Sequence, residues 1–285
     1  MPEPIVSTTI ADVREVLAAA RSSAPVRVAL VPTMGALHDG HLALVERARE
    51  VADVVVVSIF VNALQFNQAS DLENYPRSLT EDVLKLAQAG VDVVFAPSGE
   101  EMYPTGPTAT RVTGGNVGMM FEGRSRRGHF DGVLTVVSKL LHITAPDVAV
   151  FGQKDAQQAF LVQRMVRDLD LPVGLEIVET VRAPDGLALS SRNQRLDGRE
   201  RRAATVLAAA LDAAASSADR GIDSAIAAAQ STLMGEPAVK LDYLAVVDPA
   251  NFEPAPDDFH GRALILIAAS VGETRLIDNE YAHIG

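Results

Sequence analysis

The sequence predicts an α/β protein: a Rossmann-like doubly wound parallel sheet followed by a smaller α+β C-terminal domain. Apolar runs of strand length alternate with longer stretches of helical periodicity between residues 26 and 178. One of them, at 54–60, does not alternate with polar residues, as expected of a parallel strand covered on both faces. After about Arg182 the composition changes to Ala-rich helical stretches and three further strand-like runs. We therefore predict two domains, residues 1–181 and 182–285, as the chain length also favours.

The elements of the first domain follow one another as strand and helix pairs. Ser78 and Glu81 form a candidate capping box at the start of one helix, and Gly90 is placed to end it. Strands are predicted at 26–31, 54–60, 91–95, 148–151 and 173–178, and helices at 42–52, 78–90, 130–141 and 160–169.

The second domain begins with two stretches rich in alanine, a residue of high helix propensity, which predict packed helices. Three runs with strand character follow them. The helices are predicted at 199–216 and 224–233, and the strands at 240–247, 263–269 and 274–279.

Composition and charge exclude several classes of protein. With 48% hydrophobic and 22% charged residues among 285, the chain is expected to fold, and the absence of cysteine removes disulfides, thiolate metal sites and cysteine nucleophiles. The formal net charge of -12 disfavours binding to nucleic acid or to anionic membranes. No apolar window approaches the ~18 to 20 residues of a membrane span, and no signal-like start is present, so we predict a cytoplasmic protein with no membrane partner.

The first predicted strand runs into PTMGALHDGH at 32–41. Ligands of open α/β sheets bind beyond the carboxyl ends of the strands, where free N–H groups at a helix start favour an anion. His38 and His41 can donate hydrogen bonds to a phosphoryl group, and Gly35 and Gly40 let the backbone approach it closely. The alternative is that both histidines only cap the helix or face solvent.

The fourth strand ends in GQKDAQQ at 152–158. Lys154 offers a cation for phosphates, Asp155 an acceptor for ribose hydroxyls, and Gln158 an amide for a polar substrate. A surface cap at the helix start is the alternative.

Three further segments carry polar side chains. In LSSRN at 189–193, two hydroxyls and a guanidinium can bind pyrophosphate, or the segment is a capping turn before Asp197. After the second strand, Asn62 and Gln65 supply neutral amides that suit a hydroxy acid. The arginines of EGRSRRGHF at 122–130 form either an anion clamp or a solvated loop.

Two common phosphate-binding motifs are missing. The chain has no GxxxxGK[ST] loop, and no GxGxxG follows the first strand. An HxGH segment combined with a second, lysine-bearing loop indicates chemistry at the α-phosphate of a nucleotide.

Together these segments resemble the pantoate–β-alanine ligase (pantothenate synthetase) family of the HxGH nucleotidyltransferase superfamily. HxGH alone is shared across the superfamily, whereas the combination is far more specific. The resemblance spans nearly the whole chain and is carried by PTMGALHDGH (32–41), SIFVNALQF (58–66), ENYPRS (73–78), EGRSRRGHFDGVLTVVSKL (122–140), FGQKDAQQ (151–158), DGLALSSRN (185–193) and TRLIDN (274–279).

The resemblance implies ATP-dependent condensation of pantoate with β-alanine. Pantoate would attack the α-phosphate of ATP to give pantoyl adenylate and pyrophosphate, and β-alanine would then displace AMP. It also implies a need for Mg2+ and a homodimer. The first domain would bind ATP and pantoate, and the C-terminal domain would act as a lid.

The same resemblance implies a set of site residues. His38, His41, Lys154 and Arg192 would be catalytic; the family pattern treats His41 as a proton donor, whereas we interpret both histidines as hydrogen-bond donors to the phosphoryl group. ATP would contact Met34, Gly35, His38, Gly40, His41, Gly152, Lys154, Asp155, Val181, Leu189, Ser190, Ser191 and Arg192. Asn62, Gln65 and Gln158 would bind pantoate, with Gln65 also near β-alanine, and Glu81 and Asp82 would be indirect magnesium ligands.

Three residues depart from the family pattern: Ala63 replaces the usual proline, Gln153 a glutamate and Ala156 an aromatic residue. These departures motivate one rival, a nucleotide-sensing module without catalysis. The other rival is a nucleotidylyltransferase that transfers AMP to a phosphate acceptor, because HxGH alone does not distinguish it.

Overall fold

The computed structural model describes residues 3–67 and 72–285. The chain divides into two units, Met1–Gly152 with Gln157–Val178, and Gln153–Ala156 with Glu179–Gly285. Residues 153–156 thus belong to the second unit, although the chain on both sides of them belongs to the first.

The first unit is built on a parallel sheet of six strands, and the predicted doubly wound α/β class is confirmed. The strand order β1-β4-β3-β2-β5-β6 reverses its direction at β2 and β5, which pair with each other. Such a reversal opens a crevice at the carboxyl ends of the strands. The strands are β1 (Ile5–Ser7), β2 (Val28–Thr33), β3 (Val54–Ile59), β4 (Val93–Phe95), β5 (Val148–Gly152) and β6 (Gly174–Val178).

Helices cover the sheet because its strands are apolar on both faces. Alternate residues of a strand point to opposite faces, and both Ala29 and Leu30 of β2 are fully buried. The helices of this unit are α1 (Ile10–Ser23), α2 (Asp39–Val51), α3 (Leu79–Gln88), α4 (Gly99–Met102), α5 (Glu122–Ser125), α6 (His129–Thr144) and α7 (Ala156–Asp168). Residues of α2 and α3 share one apolar cluster with β2, β3, β4 and β5.

Four of these elements were missed: β1, α1 and the one-turn helices α4 and α5. Strand β1 has only three residues at the sheet edge, and Ile5 and Val6 are exposed, so no buried run marks it. Helix α1 does carry a signal, because the Thr9 hydroxyl accepts a hydrogen bond from the amide of Asp12.

The predicted capping box at Ser78 is wrong. Ser78 precedes α3 but makes no side-chain capping bond, and its hydroxyl donates instead to Asp82 Oδ2 at 3.3 Å. The helix ends at Gln88, and Gly90 follows with a φ of 74° that favours glycine.

The second unit combines an antiparallel sheet with three helices over one apolar cluster. Its strands are β7 (Val239–Val247), β8 (Gly261–Val271) and β9 (Thr274–Ile284), and its helices α8 (Gly198–Ala204), α9 (Val206–Ser217) and α10 (Ile222–Met234). The helix predicted at 199–216 is two helices, separated at Thr205, whose hydroxyl donates to the carbonyl of Arg202. In the described residues, no helix has the length and apolarity needed to cross a bilayer.

Candidate active site

The two histidines of the first loop cap α2. The amide of Gly40 donates to His38 Nδ1 at 3.2 Å, and the amide of His38 donates to His41 Nδ1 at 3.3 Å. An amide N–H only donates, so each Nδ1 is an acceptor and the proton of each neutral ring lies on Nε2. The ring centroids are 4.1 Å apart and both residues are half-buried. The capping alternative is therefore confirmed. Capping does not exclude a donor role, because it fixes each ring through Nδ1 and leaves the proton of the neutral ring on Nε2.

Helix α3 holds the loop that leads to these histidines. Asp82 is 0% exposed, and its carboxylate accepts the amide of Ala36 at 2.9 Å and that of Leu37 at 2.8 Å. One turn later, Lys85 Nζ donates to the carbonyl of Leu37 at 2.7 Å. Two opposite charges on one helix face thus fix both the N–H and the C=O groups of one short loop.

We call the bonds of Asp82 and Lys85 to this loop the clamp. The clamp gives a reason for glycine at position 35 that differs from the close approach to a ligand that we predicted. Gly35 and Ala36 adopt φ values of 82° and 52°, which aim successive amides at one anion, here the carboxylate of Asp82. A Cβ on Gly35 would lie 3.0 Å from Asp82 Oδ2 and 3.1 Å from Ile59 Cγ2. The packing of this loop against α3 and β3 therefore demands glycine. The predicted contact of Gly35 with ATP stays a prediction.

The loop after β3 that carries Asn62 and Gln65, the amide loop, contacts the loop at 34–41 that carries the two histidines, the histidine loop. Gln65 Nε2 donates to Met34 Sδ at 3.0 Å, and its Oε1 accepts from Asn62 Nδ2 at 3.0 Å. Asn62, 1% exposed, also donates to the carbonyl of Gly132 at 3.0 Å and accepts from Tyr103 Oη at 2.9 Å. Two predicted loops are thus brought together within the first unit, and Asn62 is engaged in orienting Gln65.

Tyr103, which the sequence did not indicate, is the outer support of this network. Burial raises the pKa of Tyr103 to about 12. The phenol therefore stays protonated near neutral pH and remains a donor to Asn62.

A buried histidine ties the Gly-rich segment to the same loop. His129 Nδ1 lies 2.9 Å from the carbonyl of Gln65, which only accepts, and His129 Nε2 lies 3.0 Å from Arg126 Nη1, which only donates. These partners require a neutral ring with its proton on Nδ1, the opposite tautomer to that of His38. The open question about the arginines is partly resolved: Arg126 is half-buried on this histidine, whereas Arg124 and Arg127 are exposed.

Helix α6 meets the amide loop at Gly132, and this contact predicts a mutational effect. A Cβ at position 132 would overlap the carbonyl oxygen of Leu64 and lie 2.8 Å from the amide of Gln65. Because these are backbone atoms, Gly132→Ala has to displace the loop. We expect a loss of activity of about ten-fold, since small misplacements of binding groups are costly.

The effect is measured from steady-state kinetics with each substrate varied. Gly99→Ala is the matched control, because a Cβ at Gly99 has no heavy atom within 4 Å. Wild-type kinetics for Gly132→Ala would contradict a rigid loop.

The two glutamines at the start of α7 differ in environment. Gln157 is buried, accepts from the amide of Glu122 and donates to the carbonyls of Val117 and Met120 at 2.7 and 2.9 Å. It therefore holds the segment before α6. Gln158, the predicted pantoate ligand, is half-buried.

In the second unit, Lys154 and Asp155 lie in a 3-10 turn, Gln153–Asp155. The side-chain amide of Asn279 in β9 donates to the carbonyls of Gln153 and Lys154 at 3.0 Å each. These bonds attach the turn to β9 of the same unit.

The predicted adenine and pyrophosphate segments form a connected turn. The amide of Leu189 donates to the carbonyl of Val181 at 2.9 Å, and Asn193 Nδ2 donates to the carbonyl of Ala188 at 2.9 Å. Ser190 Oγ accepts from the amide of Arg192 and caps the 3-10 turn Ser191–Arg195.

Next to Val181, Arg182 is paired with a buried carboxylate. Arg182 Nη1 donates to Asp278 Oδ2 at 2.6 Å. Burial lowers the pKa of Arg182, but the hydrogen bond and charge of Asp278 outweigh it, so the pKa is raised overall. This pair anchors the segment that contains Val181 to β9.

Sequence reasoning found the residues expected to face a ligand but missed most of those that hold them: Lys85, Tyr103, His129, Gly132, Gln157 and Asn279. Their partners lie far away in the chain, so the only local signal was membership of a quoted segment, which His129, Gly132, Gln157 and Asn279 have and Lys85 and Tyr103 lack. Asp82 was selected for magnesium, not for its two backbone bonds.

The fold and site define a class of protein: a doubly wound α/β protein in which paired histidines cap the helix after a central strand. Residues 5–281 match the family model described as Pantoate-beta-alanine ligase. The chain belongs to the pantoate–β-alanine ligase family, so the resemblance is confirmed and the chain is an enzyme of the class that forms C–N bonds.

Curated relatives are similar in sequence to this chain over most of their length. The chain is 56% identical over 282 residues to the pantothenate synthetase of Leifsonia xyli, covering 96% of this chain and 98% of the relative. It is 52% identical over 263 residues to that of Thermobifida fusca, covering 89% and 88%.

Solved structures share the fold. Pantothenate synthetase from Thermus thermophilus superposes with a TM-score of 0.90 at 46% identity, covering 97% of this chain and 98% of the other. The ligase from Francisella tularensis, complexed with β-γ ATP and β-alanine, has a TM-score of 0.79 at 35% identity and 97% coverage of both chains.

Proposed function

We propose that the protein joins pantoate to β-alanine at the expense of ATP, through an enzyme-bound pantoyl adenylate, with release of pyrophosphate and AMP. Family membership and the ATP and β-alanine complex of the Francisella relative support this proposal. Within the chain, one observation carries it: the hydrogen bond from Gln65 to Met34, which joins the amide loop to the histidine loop. A neutral amide that suits a hydroxy acid is thereby adjacent to the loop that suits phosphates.

In the first step, a pantoate carboxylate oxygen attacks the α-phosphorus and the bond to pyrophosphate breaks. His38 and His41, each with its Nδ1 used in capping, donate from Nε2 to oxygens on which negative charge grows. Pyrophosphate leaves as an anion, so neither imidazole has to lose its proton.

In the second step, the amine of β-alanine attacks the acyl carbon and the bond to AMP breaks. The amine proton is released as the C–N bond forms. No covalent bond to the protein is needed, so the contribution of the protein is orientation and charge stabilisation.

The other ligand contacts follow the resemblance. Lys154 and Arg192 bind phosphates, Asp155 binds the ribose, and Gln65 and Gln158 bind pantoate. Val181 meets adenine through its backbone, and Met34, Gly35, Gly40, Gly152, Leu189, Ser190 and Ser191 complete the ATP contacts. The C-terminal domain acts as a lid, and the protein is a cytoplasmic homodimer.

Magnesium accompanies ATP in this proposal. No group of three or more His, Asp or Glu side chains that could hold a metal occurs in residues 3–67 and 72–285. Nucleotide-bound magnesium needs only one or two carboxylates, with phosphates and water as the other ligands. Glu81 is exposed and fits an indirect ligand, whereas both oxygens of Asp82 accept backbone amides. When bound, the ion offsets phosphate charge.

The product pattern tests the proposal. With ATP and pantoate, ligation predicts pyrophosphate in amounts matching the enzyme, and continuous AMP release only after β-alanine is added. Transfer of AMP to a phosphorylated acceptor without β-alanine would favour a nucleotidylyltransferase. Turnover at the background rate with normal ATP affinity would favour the nucleotide-sensing module.

Gln65→Ala is expected to weaken pantoate binding selectively. The described contacts use one Nε2–H and one lone pair of Oε1, which leaves one of each for the substrate. A hydrogen bond to a charged substrate contributes about 1.5–3 kcal/mol, so we expect a pantoate KM about ten-fold higher or more, with the ATP KM nearly unchanged.

Steady-state kinetics, with pantoate and ATP varied in turn, separate an effect on the pantoate KM from an effect on the ATP KM. Gln163→Ala, an exposed glutamine of α7, is the control. Equal losses for ATP and pantoate would indicate collapse of the loop instead.

A further inference from the structure

The TRLIDN segment at 274–279 has no role in the reaction described above, yet it reaches the lysine turn. We propose that Asn279 is a positioning residue that holds the turn Gln153–Asp155 and so sets the direction in which Lys154 leaves the backbone. The kinetic consequence rests on the proposed function, whereas the geometry of the turn does not.

The amide of Asn279 is fully committed to the turn. The residue is 2% exposed, its Nδ2 donates to the carbonyls of Gln153 and Lys154 at 3.0 Å each, and its Oδ1 accepts from Gln153 Nε2 at 3.3 Å. The two carbonyls only accept, so the orientation of the amide is determined by its partners. An aspartate of the same shape has no N–H to donate.

Asn279 is itself held by its strand. It faces Leu266 of β8 in the sheet, and its backbone amide donates to Asp278 Oδ1 at 2.8 Å. Asp278 in turn pairs with Arg182, the residue after Val181. One pair of β9 residues therefore fixes two segments that the resemblance assigns to ATP, the lysine turn and the segment at Val181.

The anchoring matters because lysine is long and flexible. Its ammonium is a point charge on a flexible four-carbon stem. The position of that charge is therefore well defined only when the backbone that carries the side chain is fixed. A turn of three residues has no strand pairing of its own, and Asn279 supplies bonds to two of its carbonyls.

The test is a double-mutant cycle between positions 279 and 154, read as the single-turnover rate of pantoyl adenylate formation. Asn279→Ala is expected to lower this rate about ten-fold, less than the 10²-fold that a 1 Å misplacement costs. In a Lys154→Ala background the same change is expected to have no further effect, because residues that act through one another are not additive. Losses that simply multiply would overturn the proposal.

Amide hydrogen exchange gives a readout that is independent of activity. Asn279→Ala should speed exchange in residues 153–156, whereas the control Gln153→Ala, which keeps both Nδ2 bonds, should change it much less. If Lys154→Ala reacts at the wild-type rate, the proposed role of Lys154 is wrong and exchange alone decides the role of Asn279. Unchanged exchange in Asn279→Ala would overturn the positioning role. If Asn279→Ala does not fold, Asn279→Ser, which keeps one donor, enters the same experiments.

Discussion

Lys154→Ala is expected to slow pantoyl adenylate formation by about 10² to 10³, the effect of removing one preorganised donor to transition-state charge. The negative charge on the phosphoryl oxygens is redistributed as pantoate attacks, and an ammonium group stabilises that change more than it stabilises bound ATP. We therefore expect little change in ATP affinity. Rapid-quench single turnover measures the rate, and equilibrium titration measures the affinity.

Lys240→Ala provides the comparison, because Lys240 is exposed on β7 of the same unit. Its single-turnover rate should equal that of the wild type. An unchanged rate in Lys154→Ala would exclude the assigned role. A large loss of ATP affinity at an unchanged rate for bound ATP would make Lys154 a binding residue only.

Asp82→Ala is expected to lower both stability and activity. The substitution leaves the buried amides of Ala36 and Leu37 without an acceptor. At about 1–3 kcal/mol for each unpaired group, the free energy of unfolding should fall by about 2 to 6 kcal/mol. The loop before His38 loses its clamp, and a displacement near 1 Å would slow the reaction by about 10²-fold.

Denaturant unfolding and single-turnover rates measure the two effects, with Glu81→Ala as the neighbouring exposed control. Asp82→Asn, which retains one acceptor oxygen, should be intermediate. If Asp82 acts through magnesium instead, excess magnesium would restore the rate of Asp82→Ala and its stability would match that of the wild type. Either finding would contradict the clamp.

Much of the fold could be predicted because the strand signal is local. Residues 28–31 and 55–57 are buried and apolar at every position, because helices cover both faces of the sheet. Strand β1 escaped prediction because it has only three residues, of which Ile5 and Val6 are exposed and the buried Ser7 is polar. The break at Thr205 escaped it because high helix propensity continues across the position.

For the site, the sequence predicted which residues matter but not the hydrogen bonds that they make. The histidines were recognised from their spacing and from their place after a strand, but the tautomers of His38, His41 and His129 depend on which partner each nitrogen meets. A prediction from residue type alone treats Asn62 as a ligand group. Its four hydrogen bonds, to residues between two and 70 positions away, show that it also orients Gln65.

By itself, the sequence determined the fold class, the loops that carry polar groups, and the family, because periodicity and motif spacing are properties of neighbouring residues. The tertiary structure alone decided that α3 clamps the histidine loop and that Asn279 holds the lysine turn, since Asp82 and Asn279 act on backbone groups 45 and 125 positions away. The reason is that a backbone carbonyl or amide has no identity in the sequence, so the side chain that will satisfy it is known only when the chain has folded.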